Sequence, residues 1–143
     1  MKKLVLTVLS VIMMPLFFVS CEKYTRYNDS EVTHWRSLMF TADGWTLYSD
    51  RDGTNSYFQA DFDTHVLDWR VLEGGLVNCY IIYDDGSQAP LPNVRHYEDE
   101  YGHRWTRTLD CEYYEGGFSV FVTYSDFARE FPEKMSFRLT VAY

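Results

Sequence analysis

His103-Arg104-Trp105-Thr106-Arg107-Thr108-Leu109-Asp110-Cys111-Glu112-Tyr113-Tyr114 decides the fold. Trp105, Leu109, Cys111 and Tyr113 fall on one side of an extended chain, and Arg104, Thr106, Thr108, Asp110 and Glu112 on the other. Successive side chains of a strand point to opposite faces, so this alternation predicts a strand with one face buried and one wet. The same period of two recurs on both sides of it. Phe58, Ala60 and Phe62 oppose Tyr57, Gln59 and Asp61, while Phe137, Leu139 and Val141 oppose Arg138, Thr140 and Ala142. Residues 76–83 are apolar on both faces apart from Asn78, as expected of a central strand covered on both sides. Residues 35–40, 45–48 and 118–124 complete the set.

Between these runs stand Asp43-Gly44, Asp52-Gly53, Gly74-Gly75, Asp84-Asp85-Gly86 and Gly116-Gly117, which offer the positive φ angles of tight turns. Pro90 and Pro92 cannot donate to a ladder, so residues 89–92 belong at a strand end or a sheet edge. The best helix candidate is residues 125–131, with Ser125 as cap and Pro132 as stop. The spacing of strands and turns predicts an all-β fold: a single antiparallel β-sandwich of seven or eight strands over residues 34–143.

The first twenty residues read differently. Lys2 and Lys3 precede an apolar run from Leu4 to Phe18, which has the length of a signal-peptide core and is short of the roughly 20 residues that cross a bilayer. Phe18-Val19-Ser20-Cys21 resembles a bacterial lipobox, with Phe18 in place of the usual leucine. That resemblance implies cleavage after Ser20 and lipidation of Cys21. Palmitate-type chains contribute about 0.8 kcal/mol per buried CH₂, enough for two or three of them to hold the protein on a membrane. Residues 21–33 are polar and aperiodic and read as a flexible tether. The expected location is the cell envelope, on the outer membrane and outside the cytoplasm.

The whole chain carries a formal charge of −8, and loss of Lys2 and Lys3 would take it to −10. An acidic surface excludes nucleic acid as a natural partner, because phosphate backbones attract basic patches. With Cys21 consumed by lipid, Cys79 and Cys111 remain, and outside the cytoplasm they could form a disulfide or stay as buried thiols.

Signatures of hydrolysis, zinc binding and nucleotide binding are missing: there is no GxSxG, HExxH, CxxC or phosphate-cradling glycine loop. No cofactor is expected. His34, His65, His96 and His103 are scattered, although His96 and His103 could meet over a hairpin at Tyr101-Gly102. Asp50, Asp52 and Asn55 place oxygen atoms around Gly53 as calcium loops do, but the distal glutamate of such loops is missing, and an ordinary turn has the same composition.

Aromatic residues make up 18% of the chain. Trp35, Phe58, Phe62, Trp105, Phe118 and Phe137 fit a core by parity. Trp45, Tyr57, Trp69, Tyr97, Tyr101 and Tyr114 fall on faces or loops assigned to solvent. Exposed rings beside carboxylates grip sugar faces and also anchor protein interfaces.

The lipobox, the strand Gly75-Leu76-Val77-Asn78-Cys79-Tyr80, Pro90-Leu91-Pro92, the hairpin Tyr113-Tyr114-Glu115-Gly116-Gly117-Phe118 and the closing Phe137-Arg138-Leu139-Thr140-Val141 together resemble the small β-sandwich lipoproteins of Bacteroidota. Asn78 and Cys79 depart from that group's usual aliphatics. The resemblance implies an envelope lipoprotein and supplies no catalytic residues. The expected function is a non-catalytic binding or assembly module for a protein or a glycan. The alternatives are a small glycan-active hydrolase with paired carboxylates and a structural accessory subunit of a surface complex.

Overall fold

A computed structural model describes residues 34–143, so the expected signal segment, the expected lipidation site Cys21 and the expected tether lie outside the described residues. The alternating runs form nine strands and one short helix. In chain order these are β1 (Trp35–Ala42), β2 (Thr46–Tyr48), β3 (Tyr57–Asp63), α1 (Trp69–Gly74), β4 (Leu76–Ile82), β5 (Gln88–Pro90), β6 (Asn93–Glu98), β7 (Arg104–Tyr114), β8 (Gly117–Tyr124) and β9 (Met135–Ala142).

They build two antiparallel sheets, β1-β9-β4-β5 and β2-β3-β8-β7-β6. The fold is the expected antiparallel β-sandwich, with nine strands where the sequence suggests seven or eight. The two additional strands are β5, which contains Pro90 at a sheet edge, and β6, whose polar Asn-Val-Arg-His-Tyr-Glu shows no apolar alternation.

The inward parities of the two sheets close on one core. Met135, Phe137, Leu139 and Val141 of β9 are all buried, and they face Phe118, Val120 and Val122 of β8. Phe40 of the first sheet meets Phe118 of the second edge-on at 4.9 Å between centroids, and Phe62 stacks on the same ring at 4.9 Å. Burying each such side chain contributes about 1.5–3 kcal/mol, so these rings drive the sheets together.

Several expectations are corrected. Trp35 is 69% exposed, because β1 turns Leu38, Phe40 and Ala42 inward and leaves Trp35 and Met39 on the opposite face. β4 is central in its sheet but is covered on its inner side only: Cys79 and Ile81 are buried, whereas Leu76 is exposed and Asn78, Tyr80 and Ile82 are half-buried.

Residues 125–131 are not helical. Ser125 Oγ accepts a hydrogen bond from the Thr106 amide across the sheet instead of capping, and Phe127 adopts a φ of 52°. The helix forms at Trp69–Gly74, where Asp68 accepts hydrogen bonds from the amides of Arg70 and Val71. Gly74-Gly75 therefore ends a helix and makes no hairpin.

Candidate functional site

β7 is the longest strand, with eleven residues. Its hairpin with β6 turns at Gly102, which has a φ of 82°. Near that turn the inward face carries Tyr97 from β6 and Trp105 from β7, which are direct cross-strand partners. Their rings stack almost parallel, 13° apart with centroids at 5.6 Å. Both are half-buried. The irregular connection between β8 and β9 passes opposite them and encloses a cleft of about 660 Å³ lined by Tyr97, Trp105, Arg107, Tyr124 and Phe131.

The charged groups around this cleft differ in their commitments. Asp99 accepts hydrogen bonds from the Tyr101 and His103 amides and lies 3.0 Å from the His103 ring. Those amides, the His103 one first, hold its carboxyl below the ordinary range. Asp126 accepts from the Ala128 amide. Arg104 also lines the cleft but is paired with Glu98, at 2.9 Å. Arg107 remains beneath the aromatic pair, with its guanidinium carbon 5.2 Å from the Tyr97 ring centroid. Burial raises the pKa of Tyr124 on the facing wall, which keeps its hydroxyl protonated and able to donate.

A second hollow, a groove of about 480 Å³, runs across the outer face of the five-stranded sheet, with Tyr57 and Phe121 beside Asp110 and Glu112. Tyr57 stacks on Tyr48 at 5.3 Å and meets Phe121 edge-on at 5.9 Å, so its ring is engaged on two sides by neighbours.

The six aromatics singled out in the sequence occupy separate places. Tyr97 lines the cleft. Tyr101 is 79% exposed at the tip of the same hairpin, with its centroid 6.4 Å from that of His103. Tyr57 lies in the outer groove. Tyr114 is on the same outer face, where its ring lies over Gly117 so closely that a Cβ there would stand 2.8 Å from it. Trp69 is exposed at the start of α1. Trp45 is a packing residue: it donates through Nε1 to the Glu133 carbonyl at 3.3 Å and meets Phe137 edge-on.

Trp105, expected in the core, is instead half-buried and lines the cleft. Arg107, Tyr124 and Phe131 were not singled out by the sequence reading. Arg107 did carry a signal, since it interrupts the apolar parity of Trp105, Leu109 and Cys111 with a cation.

His96 and His103 share the hairpin but do not meet: His96 Nδ1 lies 2.9 Å from Thr106 Oγ1, while His103 pairs with Asp99. The 50–55 loop closes on itself. Asn55 donates its side-chain amide to Asp50 at 2.7 Å, and the Arg129 guanidinium already lies against Gly53. Among the described residues no group of three or more His, Cys, Asp or Glu side chains is arranged to hold a metal ion. Comparison of the chain with known protein families, with characterised proteins and with solved structures finds no match.

Proposed function

We propose that this protein is a lipid-anchored binding module of the cell envelope that holds a glycan in the cleft beneath the β6–β7 hairpin. The observation that carries the reading is the stacked Tyr97–Trp105 pair on the cleft wall. Aromatic faces carry partial negative charge, and the CH groups of a pyranose ring carry partial positive charge; Tyr97 is engaged by Trp105 and by the Arg107 guanidinium, so the ring face that Trp105 turns away from Tyr97 is the one that complements a sugar. Polar groups from Arg107 and Tyr124 flank the rings and suit hydroxyls, which is the usual composition of a ligand pocket. A hydrolase is a weaker reading here, because two of the three carboxylates lining the cleft, Asp99 and Asp126, are engaged by backbone amides, which leaves Glu130 without a second free carboxylate to work with.

The anchoring half of the proposal rests on Cys21 and its lipobox. Mass spectrometry of the membrane-extracted protein should find an S-diacylglyceryl group on an N-terminal Cys21, and a free, unmodified Cys21 would remove that half.

For the binding half, the full-length chain in detergent is applied to a glycan array, and hits are titrated calorimetrically. Trp105→Ala is expected to cost on the order of 2 kcal/mol of binding, about thirtyfold in Kd, with an unchanged circular dichroism spectrum. Unaltered affinity in that variant, or an array without hits, rejects the reading.

A further inference from the structure

We infer that the glycan bound in this cleft carries a carboxylate, and that Arg107 is the group that receives it. The inference rests on the binding reading above and adds the chemical class of the ligand.

Arg107 points inward from β7, between Trp105 and Leu109, and its side chain is only 13% exposed. A guanidinium with so little access to water needs hydrogen-bonding partners within the protein or from a ligand. Among the described residues it reaches the Tyr124 hydroxyl, and its one ion pair is with Glu133, at 3.7 Å, a carboxylate that is itself 78% exposed. The other described arginine–carboxylate pairs close to 2.7 Å for Arg70 with Asp68 and 2.9 Å for Arg104 with Glu98, although those arginines lie in open solvent. The most sheltered of the paired arginines therefore has the loosest pair.

The geometry also selects the kind of anion. A guanidinium is planar and presents paired N–H donors that match the two oxygens of a carboxylate. Here that plane adjoins a platform that takes the flat face of a ring. A pyranose bearing a carboxylate, such as a uronic or sialic acid residue, supplies both features in one unit. Of the nearby acids, Asp99 and Asp126 are tied to backbone amides, Glu130 lines the opposite, irregular wall, and Glu133 is the exposed partner of Arg107 that the ligand displaces.

The test uses the full-length chain on an array that presents uronate-bearing, sialylated and neutral oligosaccharides, with the methyl ester of each acidic hit as its charge-free counterpart. Acidic glycans are expected to bind, and esterification to weaken them about tenfold to a hundredfold, as for loss of a hydrogen bond to a charged group. Arg107→Gln should produce a similar loss for the acid and little change for the ester. Glu133→Gln alters an exposed side chain and keeps the test open should Arg107→Gln fail to fold. It is expected to tighten the acid severalfold and leave the ester unchanged. Equal binding of acid and ester, both abolished by Trp105→Ala, overturns the carboxylate and leaves the glycan-binding reading intact. Absence of binding to every glycan overturns both.

Discussion

Cys79 and Cys111 face each other from opposite sheets, Cys79 on the inward parity of β4 and Cys111 on that of β7, and both are free thiols. A hydrogen bond between them raises the pKa of Cys79, aided by its burial, and lowers that of Cys111, which also bonds the Tyr113 hydroxyl at 3.1 Å. Cys111 is thus the first to ionise. Its depressed pKa makes a stabilising contribution that grows as pH rises towards the ordinary thiol value, while the raised pKa of Cys79 opposes it above that value. Cys79→Ala removes the donor and is expected to shift the Cys111 titration upwards, read from ultraviolet thiolate absorbance. The facing pair also permits a direct test of oxidation. Refolding a Cys21→Ser chain with oxidised glutathione should transfer two electrons and two protons to that disulfide, leaving two glutathione thiols and a Cys79–Cys111 bond. Closing a loop of about 33 residues stabilises by about 3–4 kcal/mol in the chain-entropy account. An intact mass that retains both hydrogens counts against it.

The strands were legible wherever alternation was unbroken and one face met the core, as in β3, β7 and β9. β6 was not, because an edge strand with Val94, His96 and Glu98 turned to water presents no apolar stripe. The helix was misplaced for a related reason: six residues are too few to show a period of 3.6, and only Asp68 before Trp69 marked its start. Asp68→Ala is expected to lower the melting temperature by a few degrees, and Asp68→Asn, which also caps, to restore it. The glycines after the helix separate conformation from space. Gly75 has a φ of −92°, which alanine adopts freely, yet a Cβ there would stand 2.8 Å from the Val71 carbonyl oxygen and 3.0 Å from that of Ala142. Both obstacles are backbone and cannot swing away. Gly75→Ala should therefore cost about 1–3 kcal/mol in urea unfolding. Gly74→Ala meets nothing within 4 Å and serves as the neutral control.

The sandwich as a whole was readable because parity constrains every strand at once, whereas the cleft depends on how the irregular β8–β9 connection passes the β6–β7 hairpin, which no single strand records. Charge is the other property that belongs to the entire molecule, and it sets the response to acid. The chain holds 21 Asp and Glu against 13 Lys and Arg, with four His. Its charge vanishes near the pI of about 4.8, where solubility should be least. Below that point three exposed carboxyls with structural hydrogen bonds contribute to the acid response. The pKa of Asp68 is lowered first by Arg70, that of Asp85 by its bonds to Ser87, and that of Asp99 by the His103 amide, each from an ordinary 3.8. A carboxyl whose folded pKa lies below its unfolded pKa contributes stability that is complete above the unfolded value. That contribution is lost as pH falls through the folded value. Stability should therefore hold from neutrality to about pH 4 and decline below it, as positive charge accumulates. The combined variant Asp68→Asn, Asp85→Asn and Asp99→Asn removes these three titrations and preserves their side-chain acceptors. Its melting temperature should fall less steeply below pH 4 than that of the parent, and equal slopes would mean that general charge repulsion, and not these turns, drives the loss.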